Sequence, residues 1–282
     1  MTASRVLPQQ PGCDFPLFVP ADRPDRLAKA IELACDAVIV DLEDAVAPAD
    51  RLSARMALTG NEGLLRRAGV PVFVRVNGVG SPWHEEDVAA CSRLPIAGVM
   101  LPKSESGAAL DELRAGLPGF RLVALVETAA GLAGLRQWAC KADRVAFGAI
   151  DYSADIGCVE DRTALLGARQ EIVLASRLAG LPAPIDGVTT AVRDADLVRS
   201  DAEHAMRLGF GGKLLIHPDQ IAPALEGFAP SGKQRQWAER ILAAGHGGAT
   251  SIDGEMIDAP VLAKARNILA RVRTSRGKQV GA

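Results

Sequence analysis

The sequence predicts an α/β fold, a (β/α)₈ TIM barrel with a C-terminal helical extension, on three observations. Short runs rich in Val, Ile and Leu alternate with longer segments of helical spacing, which is the pattern of repeated βα units. The runs are apolar on both faces, as buried parallel strands must be. We count eight of them, the number in a closed barrel, and none is followed by the glycine-rich fingerprint of an open doubly wound sheet.

The first helix shows why the segments between the runs are interpreted as helices. Pro24 suits a first-turn position, and Leu27, Ala30, Ile31 and Ala34 fall on one helical face, which is expected to pack on the barrel. The predicted strands, in chain order, are 15–19 (FPLFV), 37–43 (AVIVDLE), 72–77 (VFVRVN), 98–103 (GVMLPK), 122–127 (LVALVE), 145–151 (VAFGAID), 184–188 (PIDGV) and 213–217 (KLLIH).

The chain divides into three predicted segments. Residues 1–12 lack an apolar run and are expected to form a mobile leader. Residues 13–228 hold the eight units and form the barrel. Residues 229–282 contain a polar, glycine-rich stretch followed by a helical pattern. We expect this last segment to be an extension that acts as a lid or a subunit contact.

The composition favours a small-molecule partner. A formal net charge of -2 gives no field that would hold nucleic acid or an anionic membrane. Five cysteines without a CxxC pair indicate free thiols in a reducing compartment. No run is long enough to span a bilayer, and the first residues lack a signal-peptide core. We therefore expect a cytoplasmic protein with neither a nucleic-acid nor a membrane partner.

Two carboxylates are predicted to meet at the mouth of the barrel. Glu127 ends the fifth run and Asp151 the sixth, and neighbouring parallel strands end side by side. Adjacent carboxylates repel unless a cation lies between them, and an oxygen-only pair suits Mg²⁺ or Mn²⁺. The histidines lack the ligand spacing of a zinc site. The alternative is that one carboxylate caps the next helix, and position alone does not decide between the two.

Charged side chains also end the second, third and fourth runs. Arg75, inside an apolar strand, requires an anion, which is either a substrate oxygen or a structural partner such as Glu43 or Asp44. Lys103 has the same two interpretations, or is a solvated charge at the rim. Because side chains alternate between the two faces of a strand, only some carboxylates of the DLEDA run at 41–45 can point to the mouth. Taken singly, Asp41 or Glu43 is expected to be a solvated charge in the loop.

Two further features are interpreted as structural. The GFGGK run at 209–213 precedes the eighth strand, whereas phosphate loops of barrels follow strands seven and eight, so we predict a turn there. His217, next to Pro218, is predicted to be a structural hydrogen-bonding residue rather than a base.

Eight sequence blocks occur along the chain in the order of one known family. They are LFVPADRPDR near Leu17, IVDLEDAVAP near Ile39, VRVNGVGSPW near Val74, VMLPKSES near Val99, LVETAAG near Leu125, FGAIDYSADIG near Phe147, KLLIHPDQI near Lys213 and DGEMIDAP near Asp253. On these blocks the chain resembles the citrate lyase beta-subunit-like CoA-ester lyases of the HpcH/HpaI aldolase superfamily, which include malyl-CoA, citramalyl-CoA and citryl-CoA lyases. The likeness covers nearly the whole chain.

The resemblance implies a (β/α)₈ barrel that assembles as a homotrimer or hexamer and uses Mg²⁺, with Mn²⁺ as the alternative ion. In that family the carboxylates matching Glu127 and Asp151 hold the metal, which favours the metal interpretation of this pair. The arginine matching Arg75 contacts oxygens of the oxo acid or the thioester. The implied partners are therefore a CoA thioester and a small 2-oxo acid.

The resemblance also implies residues that the spacing alone does not single out. Phe18, Arg23 and Lys29 match positions at the CoA nucleotide, and cations at the start of the first helix would add to its dipole in attracting phosphate. Asp258 matches the catalytic acid/base, which in the family lies on a C-terminal segment that covers a neighbouring subunit's site. The structural alternative for Asp258 is an N-cap of the helix beginning near Pro260.

The implied activity is cleavage or formation of a 3-hydroxy-carboxyacyl-CoA, with acetyl-CoA and a small 2-oxo acid as the products of cleavage. Four alternatives stay open: a non-catalytic or regulatory paralogue that binds CoA esters, a malyl-CoA-type thioesterase, a subunit acting on an acyl-carrier-protein thioester, and a CoA-independent class II aldolase. The last is disfavoured because the related aldolases have a histidine near the end of strand two, where this chain reads VDLEDAVAP.

Overall fold

The computed structural model describes residues 13–33, 35–244, 250–252 and 255–279, and it confirms the predicted barrel. Eight parallel strands lie side by side in chain order. They are β1 Pro16–Pro20, β2 Ala37–Asp41, β3 Val72–Arg75, β4 Gly98–Leu101, β5 Arg121–Val126, β6 Arg144–Phe147, β7 Ile185–Asp186 and β8 Gly212–Lys213.

The last strand returns to the first and closes the barrel. The N–H of Lys213 donates to the carbonyl of Asp14 at 2.8 Å, and the N–H of Leu215 donates to the carbonyl of Pro16 at 3.0 Å. The N–H of Phe18 donates to the carbonyl of Leu215 at 2.8 Å. Because the backbone groups of the β8 segment pair with those of β1, the first and last strands are joined and the sheet closes into a barrel.

Helices surround the strands, and the first of them forms as its spacing predicts, with Leu27 and Ala30 buried against the barrel; Ala34 lies outside the described residues. The helices are α1 Pro24–Ala30, α2 Arg51–Gly60, α3 Glu62–Arg66, α4 His84–Cys91, α5 Gly107–Gly116, α6 Ala129–Trp138, α7 Ala149–Ile156, α8 Leu166–Leu178, α9 Ala195–Leu208, α10 Ile221–Phe228, α11 Gly232–Ala244 and α12 Ala259–Gln279. None of the described helices is long and apolar enough to cross a membrane.

Alternation along the strands produces two apolar layers. One set of side chains fills the barrel interior, and the larger set packs between the strands and the helices. The interior set includes Ala37, Ile39, Phe73, Met100, Val123, Leu125, Ala146, Ile185 and Leu214. Residues that follow the strands in this register, such as Glu127 two residues after Leu125, are therefore aimed at the mouth.

The sixth unit differs from its prediction. The run 145–151 was expected to be one strand, but β6 ends at Phe147 and α7 begins at Ala149. Gly148 separates the two elements and starts the helix without a side-chain cap. Asp151 consequently lies in the first turn of α7 rather than at the end of a strand.

The C-terminal segment has an apolar cluster of its own. α11 packs against α12 through Ala238, Ile241, Ala265 and Ile268, which form a cluster separate from the two layers of the barrel. Two short antiparallel strands, β9 Thr250–Ile252 and β10 Glu255–Ile257, precede α12. The predicted leader, residues 1–12, lies outside the described residues, and the boundary at 228 and 229 stays a prediction.

Candidate active site

A buried ion pair joins the ends of β2 and β3 at the mouth of the barrel. Asp41 and Arg75 are direct partners in the sheet register. The guanidinium donates from Nε to Oδ1 of Asp41 at 2.7 Å and from Nη2 to Oδ2 at 2.5 Å. Its Nη1 lies 3.2 Å from a carboxylate oxygen of Glu43 and of Asp44, and its plane covers the ring of Phe18 at 5.0 Å. A bidentate guanidinium held on both sides has a fixed orientation.

The structure corrects the interpretation of the DLEDA run. Asp41 and Glu43 were expected to be solvated loop charges, but both are buried, and Asp44 is the exposed member. Oδ1 and Oδ2 of Asp41 also accept hydrogen bonds from the N–H groups of Glu43 and Ala45, both at 3.0 Å. Asp41 is therefore a partner of Arg75 that the sequence analysis did not name. It could have been found by aligning the ends of the two adjacent parallel strands, which places Asp41 beside Arg75.

Glu43 is a buried carboxylate that is incompletely satisfied. Its Oε1 accepts a hydrogen bond from Nζ of Lys103 at 2.7 Å. Its Oε2 is buried without a hydrogen bond among the described residues, although Nη1 of Arg75 lies at 3.2 Å. Burial raises the pKa of this carboxyl, and the nearby Arg75 and Lys103 charges oppose the rise. Lys103 is thus an ion-paired residue rather than a freely solvated charge at the rim.

Glu127 is also buried in this cluster. Its Oε1 accepts a hydrogen bond from the N–H of Lys103 at 2.7 Å, and Nζ of Lys103 lies 3.8 Å from the same oxygen. Burial is the largest cause that raises the pKa of Glu127 to about 8, and the Glu43 carboxylate adds to the rise. The Asp151 carboxylate contributes a smaller rise to the same pKa.

Gly148 allows Glu127 and α7 to approach closely. A Cβ at this position would lie 2.6 Å from Oε2 of Glu127 and 2.7 Å from its Cβ, distances that no side chain could tolerate without displacement. The helix that carries Asp151 therefore begins directly beside the Glu127 carboxylate. Asp151 is half-buried in the first turn of α7. The alternative that one of the two carboxylates caps the next helix is wrong, because the N-caps are Gly148 for α7 and Thr128 for α6, and the metal role stays a prediction.

The donors at the mouth fit a hard divalent cation. Five carboxylates converge with two cations, and one buried carboxylate oxygen lacks a hydrogen bond in the described part of the chain. No group of three or more His, Cys, Asp or Glu side chains within the described ranges is preassembled around an ion position. Mg²⁺ commonly takes only one or two protein carboxylates and completes its shell with water and substrate oxygens, so the predicted pair Glu127 and Asp151 would be enough to hold it, and their role as ligands stays a prediction.

The three residues predicted at the CoA nucleotide do not gather in one place. Phe18 lies inside the barrel mouth beneath Arg75. Arg23 is exposed just before α1, where it pairs with Asp25 at 3.2 Å. Lys29 is exposed in the last turn of α1, so the argument that it adds to the positive start of that helix is wrong. The role of all three in CoA binding stays a prediction.

Asp258 forms the helix cap that the sequence suggested. Its Oδ1 accepts a hydrogen bond from the N–H of Val261 at 3.0 Å, and its carbonyl accepts one from the N–H of Leu262 at 3.0 Å. The carboxylate is exposed and precedes α12. Within the described residues it makes no hydrogen bond or ion pair with the mouth of its own barrel, so its predicted role in a neighbouring subunit's site stays a prediction.

The two features interpreted as structural keep that interpretation. His217 accepts a hydrogen bond at Nδ1 from the N–H of Asp219 at 3.2 Å and caps a 3₁₀ turn at Pro218–Gln220. In the GFGGK run, Gly209 ends α9 in a left-handed conformation, and the chain turns there before β8. Within the described residues, neither feature has a hydrogen bond or ion pair with Arg75, Glu127 or Asp151.

Comparison with known proteins identifies relatives along most of the chain. Residues 15–218 match the family described as HpcH/HpaI aldolase/citrate lyase. A citrate lyase subunit beta-like protein of Deinococcus radiodurans is 40% identical over 277 residues, which cover 90% of this chain and 95% of that protein. A (3S)-malyl-CoA thioesterase of Cereibacter sphaeroides is 34% identical over 270 residues, covering 90% and 93%. A mitochondrial citramalyl-CoA lyase of Homo sapiens is 34% identical over 294 residues, covering 93% and 86%.

A solved structure extends the likeness to three dimensions. CitE from Mycobacterium tuberculosis, in complex with magnesium, acetoacetate and coenzyme A, matches with a TM-score of 0.82 and 33% identity. The match covers 93% of this chain and 98% of that chain, which is more than the barrel alone. These similarities confirm the resemblance drawn from the eight sequence blocks.

Proposed function

The chain belongs to the HpcH/HpaI aldolase/citrate lyase family, and on that premise we propose that it is a Mg²⁺-dependent carbon–carbon lyase. Its proposed substrate is a 3-hydroxy-carboxyacyl-CoA such as malyl-CoA, citramalyl-CoA or citryl-CoA. The products of cleavage are acetyl-CoA and a small 2-oxo acid, and the reverse reaction joins them. The names of relatives as lyases acting on CoA esters, and the magnesium and coenzyme A complex of CitE, support this proposal.

The observation that carries the proposal is the excess of buried carboxylate around Glu127. Its pKa, raised to about 8 chiefly by burial and also by Glu43, means that the ionised form lacks compensating charge. A cation bound between Glu127 and Asp151 would supply that charge. Bound Mg²⁺ would act as a Lewis acid that polarises the carbonyl of the 2-oxo acid on which negative charge collects during cleavage and condensation.

The chain's own residues hold the reacting groups and move the proton. Arg75, fixed by Asp41 on one side and stacked on Phe18, presents positive charge at the mouth and stabilises the enolate or alkoxide oxygen as charge develops. Asp258 removes a proton from the acyl-CoA methyl group in condensation, or returns one to that carbon after cleavage. Arg23, exposed just before α1, and Lys29, exposed in its last turn, attract the phosphates of CoA.

We further propose that Asp258 acts in the site of a neighbouring subunit of a homotrimer or hexamer. Its carboxylate is exposed and its segment, residues 229–282, has an apolar cluster apart from the barrel core. An extension of that kind can cover another subunit as a lid without disturbing its own barrel. Measurement of the solution mass by light scattering checks the assembly.

The activity is tested by incubating the purified protein with malyl-CoA, citramalyl-CoA and citryl-CoA in turn, with Mg²⁺ or with EDTA. We expect Mg²⁺-dependent release of a 2-oxo acid from one ester. The matched variant is Asp258→Asn, because Asn caps a helix as well as Asp does but cannot accept the proton. Loss of turnover with an unchanged melting temperature supports the acid/base role. Full activity in EDTA would refute the metal dependence, and binding of all three esters without turnover would refute the lyase.

A second candidate is hydrolysis of the thioester, favoured by the relatives named (3S)-malyl-CoA thioesterase. A lyase acting on malyl-CoA releases glyoxylate and acetyl-CoA, whereas a thioesterase releases malate and free CoA. A thiol reagent present in the same assay distinguishes the two. Free thiol that appears without 2-oxo acid would assign the chain to the second candidate.

A further inference from the structure

Lys103 has an unusual backbone for its residue type. Its φ is 46°, and it is the one non-glycine residue with positive φ among the described residues. The left-handed region brings the Cβ of an L-residue too close to its own backbone, so a lysine there is under strain that a glycine would not feel. Strain of this kind persists only where surrounding contacts hold it, and it concentrates at functional sites.

The left-handed conformation brings two groups of Lys103 to two carboxylates. The main-chain N–H donates to Oε1 of Glu127 at 2.7 Å, and Nζ donates to Oε1 of Glu43 at 2.7 Å. Lys103 comes two residues after the end of β4, Glu127 directly follows β5, and Glu43 follows β2. With the positive φ of Lys103, its N–H is on Glu127 while the following N–H, of Ser104, donates to the carbonyl of Leu125 in β5 at 3.0 Å.

The hydrogen bond to Oε1 determines which oxygen of Glu127 remains available. Within the described residues, Oε2 accepts no hydrogen bond, and it faces Gly148 at the start of the helix that carries Asp151. The carboxylate is therefore fixed on one side by the main chain and free on the side of the second predicted ligand. Loss of a group that orients a metal ligand in this way typically costs about 10-fold to 100-fold in metal affinity or activity.

We propose that Lys103 is a positioning residue for the metal site: its left-handed main chain holds Oε1 of Glu127 so that Oε2 is presented toward Asp151 and the cation. The inference rests on the proposed function, because it needs Glu127 to be a ligand. The ammonium group is held by Glu43 and carries no part of this role. The backbone conformation, not the charge, is what the metal site requires.

Three substitutions separate the backbone from the charge. Lys103→Gly, Lys103→Asn and Lys103→Val all remove the ammonium, but Gly and Asn adopt left-handed backbone readily whereas Val resists it. The probe is Mn²⁺ added to the substrate-free protein and followed by its electron paramagnetic resonance signal. We expect Gly and Asn to keep the wild-type dissociation constant within about threefold and Val to weaken it about tenfold, in line with the cost of that backbone region.

The outcomes are distinguishable. Wild-type protein that fails to bind Mn²⁺ removes the proposed function and the inference with it. If the wild type binds Mn²⁺ and all three variants bind it equally weakly, the effect belongs to the ammonium group. That result overturns the inference but not the proposed function. Wild-type affinity in all three variants overturns the inference as well. If Val prevents folding, Lys103→Ala takes its place, since Ala lacks the backbone freedom of Gly but has the smallest side chain. The Ala variant is expected to bind Mn²⁺ more weakly than the Gly variant does.

Discussion

Two clusters of buried charge lie at the ends of the barrel strands, and they differ in how their charges balance. The mouth cluster, defined by Asp41, Glu43, Asp44, Glu127 and Asp151 with Arg75 and Lys103, has more carboxylates than cations. The rear cluster lies between β7, β8 and the helices α8 and α9. In it Asp186 pairs with Arg169 and Asp201 pairs with Arg162, and the buried Lys213 is influenced by the charges of both carboxylates.

The rear cluster has no surplus of negative charge, although Nη1 of Arg169 is buried without a hydrogen bond among the described residues. Nε of Arg169 lies 3.0 Å from Oδ1 of Asp186, and Nζ of Lys213 donates to the carbonyl of Gly187 at 2.6 Å. Asp201 accepts a hydrogen bond from Thr189 at 2.8 Å. Burial lowers the pKa of Lys213, and the charges of Asp186 and Asp201 oppose that shift. Asp186 and Asp201 are each ion-paired and do not outnumber the cations around them, which is the property of a structural network that holds the last two strands to their helices.

The mouth cluster has the opposite property. Burial and neighbouring carboxylates both raise the pKa of Glu127, and the described part of the chain offers only the half-exposed Lys103 beside it. A buried network that is complete without a ligand needs none, whereas one with surplus charge of a single sign needs a counter-ion. Charge balance therefore separates a binding site from a structural network more clearly than burial does, since both clusters are buried.

The largest expected effect comes from removing one charge at the mouth. In Glu127→Gln the amide still accepts a hydrogen bond from the N–H of Lys103 but offers no negative charge to a metal. We expect turnover to fall by about 10³-fold, the order found when a preorganised electrostatic group is lost. The melting temperature of the metal-free protein should not fall, because a buried and poorly compensated charge has been removed. Activity within tenfold of wild type would contradict a ligand role.

The same isosteric change in the rear cluster should have the reverse pattern. Asp186→Asn leaves Arg169 and Lys213 short of one partner, and breaking a buried pair in this way costs about 3 kcal/mol. We expect that loss in urea denaturation, with the dissociation constant for Mn²⁺ unchanged. The double variant Asp186→Asn with Arg169→Met should recover part of the stability, because the uncompensated guanidinium is gone. A change in metal affinity without a loss of stability would show that the comparison is wrong.

The sequence predicted the barrel because the alternation of apolar runs and helical segments carries the fold directly. It also placed Glu127 correctly, since this residue continues the inward register of β5 after Leu125. The prediction that Asp151 ends a strand was wrong, because the apolar run continues through Gly148. The hydrophobic pattern therefore does not show where the strand ends and the helix begins. Asp151 was nevertheless expected in the right region, because α7 starts beside Glu127 at the end of β5.

Other parts of the mouth depend on contacts between distant segments. Asp41 and Glu43 were assigned to solvent because a charged residue after a strand is usually exposed, and only the register that pairs Asp41 with Arg75 buries them. The left-handed backbone of Lys103 has no sequence signal, since lysine is not a residue that favours it. Asp258 was singled out through the family resemblance, and its local sequence indicates no more than a helix cap.

A substitution beside the mouth sharpens the comparison without changing any charge. Gly148→Ala places a methyl group 2.6 Å from Oε2 of Glu127, so that the carboxylate must move. We expect Mn²⁺ binding to weaken about tenfold and stability to fall by about 1–3 kcal/mol from overpacking. The control is Gly167→Ala in α8, where a Cβ meets nothing within 4 Å. That variant should gain stability by roughly 0.5–1 kcal/mol and bind Mn²⁺ as the wild type does.

The smallest effect is expected at Arg23, whose charge belongs to neither cluster. Its side chain is exposed and paired only with the exposed Asp25, so Arg23→Gln should leave the melting temperature unchanged. If Arg23 attracts the CoA phosphates, KM for the CoA ester should rise about threefold to tenfold at low salt, and the difference should shrink as salt screens it. KM for the matching acyl-pantetheine, which lacks the nucleotide, should not change. Arg26→Gln, an exposed arginine on the same helix, is the control. An equal rise in KM for both variants would reduce the contribution of Arg23 to a general positive field around α1.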